Sequence, residues 1–346
     1  MMSLSSQAIG AKARAMYGCR LKKEDYQELI NKNSVSEVAS YLKHETSYSE
    51  VLQDVRELNL HRNQLEQLLK KDLYIKCQRL SRYADPKTKK FYEFQVRTQE
   101  LSLILSCIRS LNSNEFVDFL GEIPTYISMH TRFDFLSLMN VRTKKELLSV
   151  LKGTPYHKIL QPILLTDSLK IDYLLCERVL RKYFYDELFK TIHFCFNGKT
   201  KKDLIDIFQS EIELHNICKI YRLKKYFNAS SSFINDSLIP INSRMNSSFM
   251  NSLIHAKDDH EMMKILENSP YHYYVGEKDY VFIEYYENMI KYHLGQRYMR
   301  FSTNASIVFV TYYVLHSLEI ENIINIVEGV RYNVPPEKIE EVLIYE

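Results

Sequence analysis

Glycine and proline are scarce in this chain of 346 residues, which has only 8 of each. Sheet-rich folds need many turns between short strands, and those turns draw heavily on glycine. Long helices joined by few turns fit this composition better, and a hydrophobic content of 45% is ample for a core. The sequence therefore predicts an all-α fold. Apolar periodicity places long helices in residues 51–80, 91–111, 169–194, 202–226 and 282–299.

Cysteine pairs, a secretory leader and a long apolar run are also missing. The six cysteines form no CxxC pair, and several lie within apolar helical patterns, as buried thiols do in a reducing compartment. Residues 1–10 have no basic segment followed by an apolar one. The longest apolar stretch, residues 305–315, is shorter than the about 20 residues that span a bilayer. We therefore expect a cytoplasmic chain with no direct membrane span.

Excess charge of one sign is absent as well. The net charge of +3 is too small to indicate a surface that binds the phosphates of nucleic acid. One local basic loop contains Lys87, Lys89 and Lys90, but no aromatic side chains alternate with the lysines to stack on bases. We interpret it as a solvated loop and expect no nucleic-acid partner.

The sequence contains no recognisable catalytic motif. Its glycines are too far apart to form a phosphate-binding loop, and no G-x-S-x-G nucleophile motif is present. His255, Asp258, Asp259 and His260 form a polar cluster without the spacing of a helical zinc site. We interpret this cluster as a helix start, with Asp258 or Asp259 as N-cap and Glu261 in the first turn. We therefore expect no catalytic, cofactor-binding or metal-binding residues, and a chain that is not itself an enzyme.

What the sequence does contain is a long internal repeat. A block that begins at Glu37 recurs at Glu146 and at Glu261, about 110 residues apart, which is far longer than the units of open solenoids. A turn of small residues and a tyrosine follow each block. The three tyrosines are Tyr48, Tyr156 and Tyr271.

A second match lies farther along each copy. Glu100, Glu213 and Glu319 each precede apolar residues at positions i, i+3, i+4 and i+7, which form one face of a helix. We interpret these faces as core, because a full apolar face is seldom exposed in a soluble monomer. The two matches predict three helical domains of similar fold, at residues 10–113, 114–228 and 229–346, arranged with pseudo-threefold symmetry.

The residues that recur in the blocks admit different roles. A glutamate at a helix start, as at Glu37, Glu146 and Glu261, is explained by capping and by the helix dipole. The tyrosines have two interpretations that the sequence leaves open. Each ring is either buried with its hydroxyl bonded locally, or it contacts a partner. Tyr48, Tyr156 and Tyr271 are therefore the candidate partner-binding residues.

Three segments of the chain resemble one known family. They are residues 13–29 (ARAMYGCRLKKEDYQEL) with 34–42 (SVSEVASYL), residues 213–217 (ELHNI) with 220–227 (IYRLKKYF), and residues 319–326 (EIENIINI) with 334–339 (VPPEKI). Together they resemble the C-type subunits of prokaryotic V-type (A-type) ATPases, which are the counterparts of the d-type subunits of eukaryotic V-ATPases. The likeness extends over nearly the whole chain, except for the Ser/Asn-rich residues 228–248.

The resemblance implies a funnel of three helical domains and a non-catalytic role in the central rotor. Such a protein sits on the cytoplasmic face of the membrane, between the central shaft subunits and the membrane proteolipid ring, and couples ATP hydrolysis elsewhere to proton or sodium ion transport. Two alternatives remain at this point. One is a helical adaptor or scaffold unrelated to ion transport, and the other is an enzyme whose site is assembled across the copies.

Overall fold

The computed structural model describes residues 4–57, 60–113, 125–166, 168, 170–241, 245–269, 271 and 283–345. Within these residues there are 17 α-helices, two 3-10 helices (Lys89–Glu93 and Thr125–His130) and no strand, so the all-α prediction is confirmed. The α-helices are α1 (Leu4–Gly18), α2 (Lys23–Ile30), α3 (Val35–Glu45), α4 (Ser49–Leu52), α5 (Arg62–Ser81), α6 (Phe94–Ser113), α7 (Phe135–Met139), α8 (Lys144–Val150), α9 (Pro155–Leu164), α10 (Tyr173–Cys195), α11 (Gly198–Phe227), α12 (Ser231–Ser237), α13 (Ser247–His255), α14 (Asp259–Glu267), α15 (Ile283–Phe301), α16 (Ala305–Arg331) and α17 (Pro336–Glu340).

Four of the five long predicted helices agree with α6, α10, α11 and α15 to within a few residues. The fifth prediction, one helix over residues 51–80, is wrong, because α4 ends at Leu52 and α5 begins at Arg62. The sequence also led us to underestimate the length of α16. This helix continues beyond its apolar start, through buried polar residues, as far as Arg331. Polar residues interrupt an apolar run in the sequence, but they do not interrupt a helix whose core supplies their hydrogen-bond partners.

The three repeat blocks start helices in the same way. The side chains of Ser34, Thr143 and Asp258 accept hydrogen bonds from the backbone N–H groups of Glu37, Glu146 and Glu261, respectively. Each glutamate in turn accepts from the backbone N–H of the residue before the cap, at 3.0, 2.7 and 2.6 Å. This reciprocal pattern is a variant of the capping box, in which the glutamate accepts from the N–H before the N-cap instead of from the N–H of the N-cap itself. The capping interpretation of the repeat glutamates is confirmed, and Asp258 is the cap of the two candidates.

The caps give a first testable prediction. Replacing Thr143 with Ala should lower the free energy of unfolding by about 1 kcal/mol, because the N–H of Glu146 loses its acceptor. Thr143→Ser keeps the hydroxyl and serves as the matched control. The measurement is the urea midpoint followed by circular dichroism. Equal midpoints for the two variants would contradict the capping role.

The described residues divide into two compact units. The first takes in the described residues through Lys89 and those from Asn288 onward. Its core helix is α16, which packs mainly against α1 and α5. Every residue from Ala305 to Tyr312 is buried, so the first half of α16 is enclosed on all sides.

By length and composition, α16 is the single described helix that could cross a membrane, with a mean hydropathy of 1.3 over its most apolar window. Our sequence expectation considered residues 305–315 alone and missed this length. In the structure 72% of that window is buried within the fold. A core helix of this kind meets the same length and composition criteria as a membrane span, so the finding is weak evidence for one.

The second unit takes in the described residues from Lys90 to Glu287 and contains two hydrophobic clusters. The first cluster joins α6 to the helices from α7 to α10, with Leu147, Leu160 and Cys176 buried in it. The second joins the C-terminal half of α11 to α12, α13, α14 and the start of α15, around Met262 and Leu266. Nearly all of the apolar residues that follow Glu100, Glu213 and Glu319 are buried, which confirms that these faces belong to the core; Ile324 alone among them is half-buried.

Candidate functional site

Each of the three repeat tyrosines donates a hydrogen bond to a buried glutamate. The glutamates are the three that mark the second sequence match, and their side chains are enclosed, with exposed fractions of 0 to 6%. The bonds are Tyr48 Oη to Glu319 Oε1 at 2.7 Å, Tyr156 Oη to Glu100 Oε2 at 2.6 Å, and Tyr271 Oη to Glu213 Oε1. We call these the tyrosine–glutamate pairs.

The second oxygen of each glutamate accepts a backbone N–H. The donors are Leu21 at 2.8 Å from Glu319 Oε2, Arg132 at 2.6 Å from Glu100 Oε1, and Met245 at 2.7 Å from Glu213 Oε2. Both oxygens of all three carboxylates therefore have a donor, which a charge in the core requires. The same three-part arrangement, made of a carboxylate, a phenol and a backbone N–H, occurs three times in the chain.

The pairs link successive copies of the repeat. The glutamate of the first copy pairs with the tyrosine of the second, and that of the second with the tyrosine of the third. The glutamate of the third copy, Glu319, returns to Tyr48 in the first. Each tyrosine–glutamate pair thus joins two of the predicted domains, 10–113, 114–228 and 229–346. The boundaries of these domains remain a prediction.

Hydroxyl groups two residues before the tyrosines fix the turns from which the rings project. Thr46 Oγ1 donates to the carbonyl of Leu42 at 2.6 Å, Thr154 Oγ1 to that of Leu151 at 2.7 Å, and Ser269 Oγ to that of Leu266 at 2.6 Å. In the second and third copies the carbonyls of Leu151 and Leu266 also accept the backbone N–H of the same Thr154 and Ser269, so each of these turns is closed by two hydrogen bonds. In the second copy, Pro155 is the first residue of α9, and the chain turns through Gly153 with a φ of 84°. Pro270 lies outside the described residues.

The environment of the pairs keeps the phenols protonated. Burial raises the pKa of Tyr48 well above its usual value, and the negative charge of Glu319 raises it further. Burial and the charge of Glu100 raise the pKa of Tyr156 in the same way. Both hydroxyls therefore remain hydrogen-bond donors throughout the physiological pH range.

Two of the pairs have charged neighbours. Arg97 Nη1 lies 2.5 Å from Glu100 Oε1, one turn earlier on α6. Beside the Glu319 pair, His316 Nε2 lies 3.3 Å from Asp72 Oδ2, and Lys76 Nζ lies 2.6 Å from the same oxygen. This network joins α5 to α16 within the first unit, so the Glu319 pair is part of a larger buried polar cluster.

A separate set of buried charges joins α10 to α11 in the second unit. Glu177 accepts from Arg181 Nε at 3.0 Å and from Lys219 Nζ at 2.7 Å. Burial alone would raise the pKa of Glu177, but the attraction of Lys219 and Arg181 outweighs it and lowers the pKa to about 2. The carboxylate is therefore charged at neutral pH and bound on two sides.

An asparagine three residues after the glutamate adds a second fixed point in two copies, which our sequence analysis missed. Asn216 Nδ2 donates to the carbonyl of Ile239 at 3.1 Å, and its Oδ1 accepts from the N–H of the same residue at 3.0 Å. Asn322 makes the same two bonds with Ile344, at 2.8 and 3.0 Å. The signal was present as the spacing E-x-x-N at Glu213 and Glu319.

The arrangement of the pairs suits support better than chemistry. Both oxygens of each carboxylate accept hydrogen bonds from the chain itself, so each carboxylate is held in place from two directions. Over the part of the chain that the structure describes, no group of three His, Cys, Asp or Glu side chains could hold a metal ion. The six cysteines are free thiols, and all except Cys19 are buried.

The sequence analysis named the three tyrosines but not the glutamates that they bond within the chain. Of the two interpretations, the structure shows a hydroxyl bonded within the chain at all three positions, although to a partner distant in sequence, with Tyr48 and Tyr156 almost fully buried. Contact of Tyr48, Tyr156 or Tyr271 with another protein of a complex stays a prediction. Glu100, Glu213 and Glu319 were known only as markers of the repeat.

The chain is thus a helical protein in which buried hydrogen bonds join the copies of an internal repeat. Comparison with family models matches residues 9–342 to the ATP synthase (C/AC39) subunit. The chain therefore belongs to the C/AC39 subunit family of V/A-type ATP synthases, as the resemblance of its sequence implies. Membership makes it a subunit of a rotary ATP synthase complex that also contains partner subunits. A search of curated proteins finds no match.

Proposed function

We propose that this chain is a non-catalytic subunit of the central rotor, coupling the central shaft to the membrane proteolipid ring for proton or sodium ion transport. The observation that carries the proposal is the family match over residues 9–342. ATP is hydrolysed or synthesised in other subunits of the complex, and this chain transmits torque between them and the ring.

One of the tyrosine–glutamate pairs bonds the last copy of the repeat to the first. An open row of copies would leave the last glutamate and the first tyrosine without partners. Here Glu319 of the last copy binds Tyr48 of the first, so every copy both gives and receives one pair. The cavity that would receive the end of the shaft is part of this proposal and rests on the family resemblance alone. The three pairs also suit a protein that must transmit force, since buried hydrogen bonds to a charged group resist separation.

The proposed location is peripheral, on the inner face of the membrane, where the chain is held by its partner subunits. The burial of α16 supports a peripheral position, because this helix has its apolar contacts within the first unit.

The experiment that tests the function compares membranes reconstituted with the complete complex and with a complex lacking this chain. We expect the soluble sector to continue to hydrolyse ATP without the chain, while ion pumping is lost, because the rotor is interrupted between shaft and ring. Adding the purified chain back should restore pumping. Pumping that persists undiminished without the chain would refute the proposal.

A further inference from the structure

The first unit exposes two large aromatic side chains at neighbouring helix ends. Tyr83, which follows α5, is 40% exposed, and Phe301, the last residue of α15, is 78% exposed. Burying an aromatic ring is favourable, so two rings left in water at neighbouring helix ends favour a contact surface there.

Helix α1 lies between these two side chains. Lys12 Nζ is 5.1 Å from the centre of the Tyr83 ring, and it donates to the Tyr83 hydroxyl at 3.4 Å. Arg14, two residues later, donates through Nε to the carbonyl of Met299 at 2.9 Å and through Nη2 to that of Ser302. Residues two apart point to opposite sides of a helix. The ends of α5 and α15 therefore flank α1 at the same level along its axis.

The surroundings of both rings are cationic. Arg82 directly precedes Tyr83, Lys89 follows it by six residues with one acidic residue, Asp85, between them, and both basic side chains are exposed. Arg297 is exposed one helical turn before Phe301. With Lys12, these side chains give four positive charges, whereas the net charge of the whole chain is only +3. Arg79 is excluded from this set because it is paired with Glu50. We call Lys12, Arg82, Tyr83, Lys89, Arg297 and Phe301 the basic–aromatic surface.

We propose that the basic–aromatic surface docks on anionic lipid headgroups. Exposed aromatic rings beside Lys and Arg are the combination that proteins use at membrane interfaces, where the ring lies at headgroup level and the cations meet acidic lipids. The two rings lie on either side of α1, which suits an extended surface better than a single small ligand. The proposal extends the proposed function, since a subunit seated on a membrane ring lies close to headgroups.

The test is sedimentation of the purified full chain with lipid vesicles. We expect the wild-type chain to sediment with vesicles of phosphatidylcholine that contain phosphatidylglycerol, and not with vesicles of phosphatidylcholine alone. Binding should weaken as salt is raised, because headgroup attraction is screened. The double variants Tyr83→Ser/Phe301→Ser and Arg82→Gln/Arg297→Gln should each bind about tenfold more weakly, since each removes one half of the interaction.

The matched control is Tyr332→Ser. Tyr332 is also an exposed aromatic residue of the first unit, at 68%, beside Arg331, but it follows the last residue of α16, whereas Phe301 precedes the first. This control should bind vesicles as the wild type does, and thermal unfolding should show that every variant remains folded.

Equal binding to neutral and acidic vesicles, or an equal loss in the control, would overturn the proposal. A wild-type chain that sediments with neither kind of vesicle would also overturn it. If the double variants then failed to bind detergent-purified proteolipid ring, the surface would be a protein interface instead. The assay contains no ATPase, so its failure is separate from that of the proposed function. If the chain binds acidic vesicles but is not needed for pumping, the lipid-binding proposal stands and the rotor proposal is wrong.

Discussion

Replacing Ile323 with Asp should unfold the first unit of the protein. Ile323 has an exposed fraction of 0% and lies on the core face of α16, one residue after Asn322. A carboxylate at this position has no built-in partner and must be either desolvated or neutralised. We expect the free energy of unfolding to fall by about 4 kcal/mol or more, which is a large part of the about 5–15 kcal/mol that a typical domain has.

Neighbouring substitutions on α16 provide the controls. Ile324 is the next residue on the helix but is only half-buried, so Ile324→Asp should be markedly less damaging. Ile323→Val keeps the site apolar and should cost about 1 kcal/mol. In the second unit, Ile217→Asp should repeat the large effect, because Ile217 is 4% exposed in the second cluster. Thermal unfolding followed by circular dichroism is the measurement, and an Ile323→Asp variant with near wild-type stability would show that this face is not core.

The local parts of the fold could be predicted from the sequence. The scarcity of glycine and proline and the apolar periodicity were enough to predict the all-α class. The repeat blocks were enough to predict that Glu37, Glu146 and Glu261 lie at capped helix starts. These features depend on residues within one or two turns of each other, which is the range at which sequence patterns carry information. The division between α4 and α5 was not predicted, because the apolar positions within 51–80 continue across it.

The pairing of tyrosine with glutamate could not be predicted, for a physical reason. Tyr48 and Glu319 are 271 residues apart, and no local periodicity relates them. The third component is even less visible, because the donors at Leu21, Arg132 and Met245 are backbone N–H groups. Any residue except proline can supply that group, so the side chains at these positions have nothing in common. The sequence could show that glutamates and tyrosines recur but not which of them meet.

Removal of the buried glutamate should produce the second large effect. In Glu319→Leu, the Tyr48 hydroxyl and the Leu21 N–H both lose their acceptor inside the core. A buried donor without an acceptor costs about 1–3 kcal/mol, so the two together should cost about 3 kcal/mol or more. Tyr48→Phe removes one donor and leaves the carboxylate with its backbone bond, and its expected cost is about 1.5–3 kcal/mol.

The double variant Tyr48→Phe/Glu319→Leu separates the pair from its parts. Once the hydroxyl is gone, the leucine leaves only the Leu21 N–H unsatisfied, so the double variant should be more stable than the sum of the single losses predicts, by about 1–2 kcal/mol. Tyr345→Phe is the matched control, because its hydroxyl donates to Glu340 at 2.6 Å on the exposed surface of the same unit, and it should change stability by less than about 1 kcal/mol. Urea unfolding of the wild type, the two single variants and the double variant gives the coupling energy between Tyr48 and Glu319. Strictly additive losses would mean that Tyr48 and Glu319 stabilise the fold independently, and the bond that joins the first copy of the repeat to the last would then contribute nothing of its own.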